Sequence, residues 1–328
     1  MIVARTACCS LLAALAVLAA LVMTTARAQS FPAKPLRLIV PYPAGTTTDL
    51  LARMIVPKMS VQLGKAIVVD NKGGASGTVG AGQVATATPD GYTLMLGTSA
   101  IIAANEALIP NLNYNPARDF AAVGGIAQNP MILTVGAVTG IRSVPELTEF
   151  LKKNPAKANF GSTGIGGAPA LAGSHISQAM GVKTNHVPYN SASQALTSLA
   201  SGEITFMFYG SLAIMPLTRS GQLRPLATAA MSKSGLFPEV KTLHELGFEN
   251  FTATSWFGLY APQHTPRSVI TVLASALHAA LTDTETANKL VQSGFDPMAG
   301  TPEALTAFGA KERVRFKELV TKFGGVER

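Results

Sequence analysis

The sequence predicts an α/β protein of two lobes, and three observations carry that reading. Short apolar or β-branched runs alternate with segments of helical periodicity along most of the 328 residues. Glycines and small hydroxyl residues gather where those runs end, as they do at the strand ends of a parallel sheet. Two longer apolar segments, Phe120–Val135 and Phe251–Pro262, break the alternation and read as the two crossings between lobes.

In chain order, Leu36–Val40 is a strand and Pro41, Pro43 and Gly45 break it. Thr46, Thr47 and Thr48 offer helix caps or free hydroxyls, and a helix from Asp49 runs to Leu63 with a kink expected at Pro57. Ala66–Val69 is a second strand, followed by the glycine-rich loop DNKGGASGTVGAG at Asp70–Gly82 and a helix over Gln83–Ala87. Tyr92–Leu96 is a third strand ending in Gly97, Thr98, Ser99 and Ala100. Beyond the first crossing, Ser143 and Glu146 form a capping box for a helix over Val144–Lys153. Strands follow at Ala158–Phe160, Thr184–Tyr189, Ile204–Phe208 and Leu223–Ala227, with helices over Ala170–Met180 and Ser191–Ser201. Pro266–Leu281 and Pro302–Phe323 are amphipathic helices that close the chain. The plan is a first lobe over 29–128, a second over 129–252, and a return to the first over 253–328.

Residues 1–28 are excluded from that fold. Arg5, the apolar run Leu11–Met23 and Ala26-Arg27-Ala28 have the form of a signal peptide cleaved near Ala28, which makes the mature chain an exported protein. Both cysteines, Cys8 and Cys9, lie in that segment, so the mature chain has neither disulfide nor thiolate chemistry. The net charge of +8 falls to +6 when Arg5 and Arg27 leave, a mild bias toward anionic partners. Basic residues are scattered and not interleaved with aromatics, which argues against nucleic acid.

Free N–H groups at a helix start suit an anion, and Leu36–Arg53 is such a place as much as it is an ordinary first βα unit. From Lys152 to Gly202 there is no Asp or Glu, while Lys152, Lys153, Lys157, Lys183, His175 and His186 fall there. That interval favours a carboxylate or phosphate over a cation, or else is an accident of an Ala/Gly/Ser-rich stretch. Gly161–Gly166 lacks the dinucleotide spacing and its acidic partner, so no cofactor is expected. Ser76 misses the nucleophile-elbow pattern, the five histidines show no metal-ligand spacing, and Asp49 reads as a first-turn helix residue more than a general base. No catalytic or metal constellation emerges, and no base–nucleophile pair is visible.

Six segments in order carry a resemblance: Pro41–Gly45 with Asp49 and Leu51–Arg53; VVDNKGGASGTVG from Val68; ATPDGYTL from Ala87; Gly161–Gly164; HVPYN from His186; and FGLYAP from Phe257. With them the chain resembles the solute-binding proteins of tripartite tricarboxylate transporters, the Bug (Bordetella uptake gene) family. The resemblance implies a type II periplasmic binding protein, not an enzyme, monomeric, whose two α/β lobes close on a small organic carboxylate and deliver it to membrane subunits. The ligand shell it implies draws on Tyr42, Ala44, Gly45, Thr46 and Asp49 in the first turn and on Thr98, Ser99 and Ala100. From the other lobe come Ser162, Thr163, Gly164, Tyr189, Asn190, Ser191, Ala192, Tyr209 and Gly210. Thr46 stands where the family carries a second glycine, Asn190 where it carries a lysine or arginine, and Ser191 where it carries a glycine. A sensor for a signalling partner, or an exported hydrolase or isomerase, are the alternatives.

Overall fold

The computed structural model describes residues 31–163, 168–189, 191–249 and 251–323. The leader 1–28, Gly164 and Asn190 lie outside the described residues.

Strand β1 (Leu36–Val40) is held on both sides by parallel partners, β2 (Ile67–Asn71) and β3 (Thr93–Thr98). Its side chains alternate between faces, as the pleat requires. Leu36, Leu38 and Val40 join a core with Leu51, Ile55 and Met59 of helix α1 (Thr47–Leu63), and Ile39 enters a second core on the other face. The α1 helix is continuous through Pro57, whose ring is exposed. Helix α2 covers Thr78–Ala85, earlier than the expected Gln83–Ala87. The reason is close packing: a Cβ on Gly80 would stand 2.9 Å from both the Pro41 side chain and the Lys72 carbonyl, so glycines here serve a helix that approaches the first turn. After β3 a π-helical turn (Ala100–Ala104) leads into the short helix α3 (Asn105–Leu108).

The longest strand, β4 (Phe120–Gly136), belongs to two sheets. Phe120–Pro130 pairs antiparallel with β9 (Thr254–Pro262), which continues the sheet of β3, β1 and β2. Met131–Val135 pairs with β7 (Phe206–Gly210), beyond which lie β5 (Asn159–Thr163) and β6 (Asn185–Tyr189), while Ile132–Gly136 also pairs with β8 (Leu223–Thr228). The second sheet is covered by α4 (Val144–Lys153) and α5 (Ala168–Ala179) on one core and by α6 (Ala192–Ser201) and α7 (Ser211–Arg219) on the other. The N-cap at Ser143 is formed, its hydroxyl accepting from the Glu146 amide at 3.3 Å, but the Glu146 carboxylate reaches one residue past the N-cap and accepts from the Arg142 amide at 2.9 Å, so the capping box is shifted by a residue on that side.

The chain then returns to the first sheet. Helices α8 (Arg267–Thr282) and α9 (Thr284–Gln292), strand β10 (Asp296–Gly300) on β4, and helix α10 (Pro302–Phe323) complete it. Three of these elements go beyond the sequence reading. Helix α7 contains Pro216, and β10 contains Pro297 and ends in Gly300, each a local signal against the element that holds it, whereas α9 is short but capped, Asp283 accepting from the Thr286 amide at 3.0 Å.

Candidate ligand-binding site

The predicted site residues gather in two groups. Both lie at carboxyl ends of parallel strands, where sheets of this kind present ligands.

The first group sits on the turn between β1 and α1. Gly45 adopts φ +79 with open space around its Cα, so a left-handed backbone, not crowding, makes glycine the fitting residue. The Gly45 amide donates to Asp49 Oδ2 at 2.9 Å. Asp49, only 2 % exposed, also accepts from Arg53 Nε at 3.0 Å and from Asn71 Nδ2 at 3.1 Å, and Asn71 Nδ2 reaches the Tyr42 carbonyl at 3.0 Å. Burial pushes this carboxyl up, but the bonds from Arg53, Gly45 and Asn71 outweigh it and hold the group below the usual aspartate range. The carboxylate is thus engaged in holding the turn. Thr46 occupies the N-cap position with extended dihedrals, yet its hydroxyl donates back to the Pro43 carbonyl at 2.8 Å and caps nothing. The α1 N-terminus is left without a side-chain cap.

Tyr42 joins this turn to the end of β3, its hydroxyl 3.3 Å from Thr98 Oγ1. Burial raises the phenol, against the opposing Thr98 bond, so it stays protonated and able to donate. Thr98 and Ser99 are buried, Ala100 half-buried, and the Ile101 amide donates to Thr98 Oγ1 at 3.4 Å. A further wall escaped the predicted set. Residues 74–77 carry four consecutive positive φ values, 132, 44, 56 and 87, two of them at Ala75 and Ser76. Such strain persists only where surroundings enforce it. Asn105 Nδ2 holds the Ser76 carbonyl at 3.1 Å, and Gly73 lies so close to Pro43 that a Cβ would come within 2.9 Å. The glycine run in the sequence was the signal for this loop.

The second group lies at the ends of β5, β6 and β7. Thr163 pairs in register with Tyr189 and is hydrogen-bonded to the Tyr209 hydroxyl, whose pKa burial raises despite that bond. Both tyrosines pack with Val187 against the core under α6, and Trp256 is also a core residue, donating from Nε1 to Glu312 at 3.1 Å. Ser191 caps α6 by accepting from the Gln194 amide at 3.3 Å, and Ala192 opens that helix. Gly210 is the N-cap of α7, again with no side-chain cap.

One expectation needs correcting. No base–nucleophile pair was visible in the sequence, but Ser162 Oγ lies 2.7 Å from His186 Nε2. The two are 24 positions apart and meet because β5 and β6 are parallel neighbours. The pair is not a triad: His186 Nδ1 is buried without a partner and the ring stacks on Phe160 at 4.8 Å. Burial lowers the imidazole pKa. Among the described residues no group of three or more His, Cys, Asp or Glu is placed to hold a metal, and no helix is long and apolar enough to cross a membrane.

The model of the tripartite tricarboxylate transporter family receptor matches residues 51–324. Among solved structures, the periplasmic binding protein BugD is 30 % identical, with a TM-score of 0.82 over 91 % of this chain and 100 % of its own. Rpa4515 of R. palustris, solved with adipate, is 31 % identical, with a TM-score of 0.85 over 90 % of this chain and 98 % of that one. MatC of Rhodopseudomonas palustris, solved with bound malate, is 28 % identical, with a TM-score of 0.80 over 88 % and 100 %. The α/β architecture described above, with two sheets sharing β4, is that of these binding proteins.

Proposed function

This chain belongs to the tripartite tricarboxylate transporter family of receptors, and from that premise we propose that it captures a small organic carboxylate in the periplasm and delivers it to the membrane subunits of such a transporter. The family and its structural neighbours are solute-binding receptors, not enzymes. The observation that carries the ligand class is the pair of uncapped helix N-termini, α1 at Thr46 and α7 at Gly210, each at a strand end in its own sheet. Uncapped amides with the positive end of a helix dipole favour an anion, and the hydroxyls of Tyr42, Thr98, Thr163 and Tyr209 beside them add neutral donors. Asp49, the acid within the first turn, has its charge engaged by Arg53 and Asn71. Adipate and malate in the neighbouring receptors support the same class.

In this reading residues 29–128 with 253–328 form one lobe and 129–252 the other, after removal of a leader near Ala28. The carboxylate is held by backbone amides and hydroxyls from Tyr42, Ala44, Gly45, Thr46, Thr98, Ser99 and Ala100 on one side. On the other side the holders are Ser162, Thr163, Gly164, Tyr189, Asn190, Ser191, Ala192, Tyr209 and Gly210, while Asp49 positions the first turn. Contacts from both lobes favour the closed state, and the ligand shifts the population by its differential affinity for it. Isothermal titration of the mature protein against a panel of organic acids, sugars and cations tests this. Binding of one or more acids is expected; sugar or cation binding without any acid overturns it.

A further inference from the structure

Asn129 lies on the strip of β4 that separates the two groups of site residues. Thr98 is in register with Phe257, and Phe257 with Ala127; on the other side Gly210 is in register with Met131. Asn129 is therefore on the floor between the two sets of strand ends. Its residue exposure is 2 %, and both Nδ2 and Oδ1 are shut from solvent with no hydrogen-bond partner. The carboxamide faces the start of α7: a Cβ on Gly210 would stand 3.1 Å from Oδ1 and 3.6 Å from Nδ2. Nothing there already serves as a cap. Gly210 has no side chain, and the Ser211 hydroxyl donates to the Gly294 carbonyl at 3.5 Å.

A buried amide that bonds to nothing is destabilising in the state that buries it. It is accounted for when another state supplies its partners. We propose that Asn129 and the first turn of α7 form a ligand subsite on the cleft floor, reached when the lobes part, and that its ligand carries a hydroxyl or amino donor beside a carboxylate. The inference rests on the receptor reading above and names the chemistry within it. Carboxylate oxygens only accept, so they satisfy Nδ2 and the α7 amides but leave Oδ1 without a donor. A hydroxy or amino acid satisfies both ends of the carboxamide, whereas a plain diacid satisfies one.

The test is isothermal titration of the mature wild type, Asn129→Leu and Asn129→Asp with matched acids: malate and succinate, aspartate and succinate, citrate and tricarballylate. Thermal unfolding of the ligand-free proteins runs alongside. The wild type should favour the hydroxylated or aminated member of at least one pair by roughly tenfold, the scale of one hydrogen bond to a buried polar group. Asn129→Leu should erase that preference while leaving the unfolding temperature of the free protein unchanged or higher, because no bond is lost. Asn129→Asp should weaken every acid, since like charges then meet. Asn129→Ala gives the same reading if leucine does not fit. A preference that survives in the Leu and Ala variants, or a wild type that binds acids with no preference in any pair, overturns the subsite alone. A wild type that binds none of these acids but binds another organic acid of the wider panel also overturns the subsite alone, whereas one that binds no organic acid at all overturns the receptor reading, and the subsite with it.

Discussion

Replacing Asp49 with alanine removes one carboxylate that accepts from three donors at once: the Gly45 amide, Arg53 Nε and Asn71 Nδ2. Arg53 is half exposed and water replaces its partner, so it contributes little. The Gly45 amide and the Asn71 amide are the costly losses, at about 1–2 kcal/mol each for bonds to a charged acceptor. A total of about 3 kcal/mol lowers the unfolding temperature by roughly 6 °C in a chain of this size. Asn71 also ties down the Tyr42 carbonyl, so the turn loosens and affinity for any bound acid should fall by about tenfold or more. Asp49→Asn keeps an acceptor and should lie between alanine and wild type. The sign with pH follows from the depressed pKa. The unfolded carboxyl titrates near 3.9, so this stabilisation is complete above about pH 4 and is lost as pH falls through the lower folded value. Differential scanning fluorimetry with titration of the same variants measures both effects. An Asp49→Ala protein that unfolds within a degree of wild type and binds equally well would refute the assignment of Asp49 as the holder of the turn.

Thr46→Gly loses the exposed bond to the Pro43 carbonyl, worth about 1 kcal/mol or less; it should change the ranking of acids in a titration panel more than it changes the unfolding temperature. Gly45→Ala meets no atom within 4 Å, so its cost is the backbone strain of φ +79 alone, about 1–2 kcal/mol, measurable by denaturant unfolding. Burial lowers the pKa of His186, and burial with Lys322 and Arg315 lowers that of His175. The unfolded chain therefore takes up these protons first, near pH 6.5. Stability is complete above that pH and declines as pH falls toward the folded values, and His175→Phe, which keeps the stack on Phe251, should flatten part of the decline in a pH series of unfolding curves.

The parts of the fold that were legible in the sequence are those where local preference and tertiary role agree. The alternation in Leu36–Val40 corresponds to two cores on the two faces of β1, and the Ser143–Glu146 spacing corresponds to a formed N-cap whose glutamate reaches back to the Arg142 amide. Helix α7 and strand β10 were hidden because Pro216 and Pro297 speak against them locally, while packing and pairing with β4 decide the outcome. The same division runs through the site. Gly45 and Thr98 could be read from turn chemistry, but the Ser162–His186 contact depends on which strands are neighbours, and Asn129 reads as an ordinary residue of an apolar segment. Asp49 was visible as a first-turn acid. Its hold on Asn71 required knowing that the end of β2, 22 positions away, lies beside the first turn.

The shared strand β4 has a consequence for how the molecule assembles during synthesis. Its first half is completed only by β9 and β10, whose residues follow more than a hundred positions later, whereas its second half pairs with β7 and β8. As the chain emerges N-terminus first, β1, β2 and β3 wait with an open edge at β3 until Thr254–Pro262 arrives. The segment from Met131 to Thr228 can close its own sheet meanwhile, at the smaller entropic cost of a shorter loop. The last-made quarter of the chain therefore seals the first-made strands, and a truncation before Thr254 should leave an unpaired edge prone to aggregation instead of a smaller working receptor.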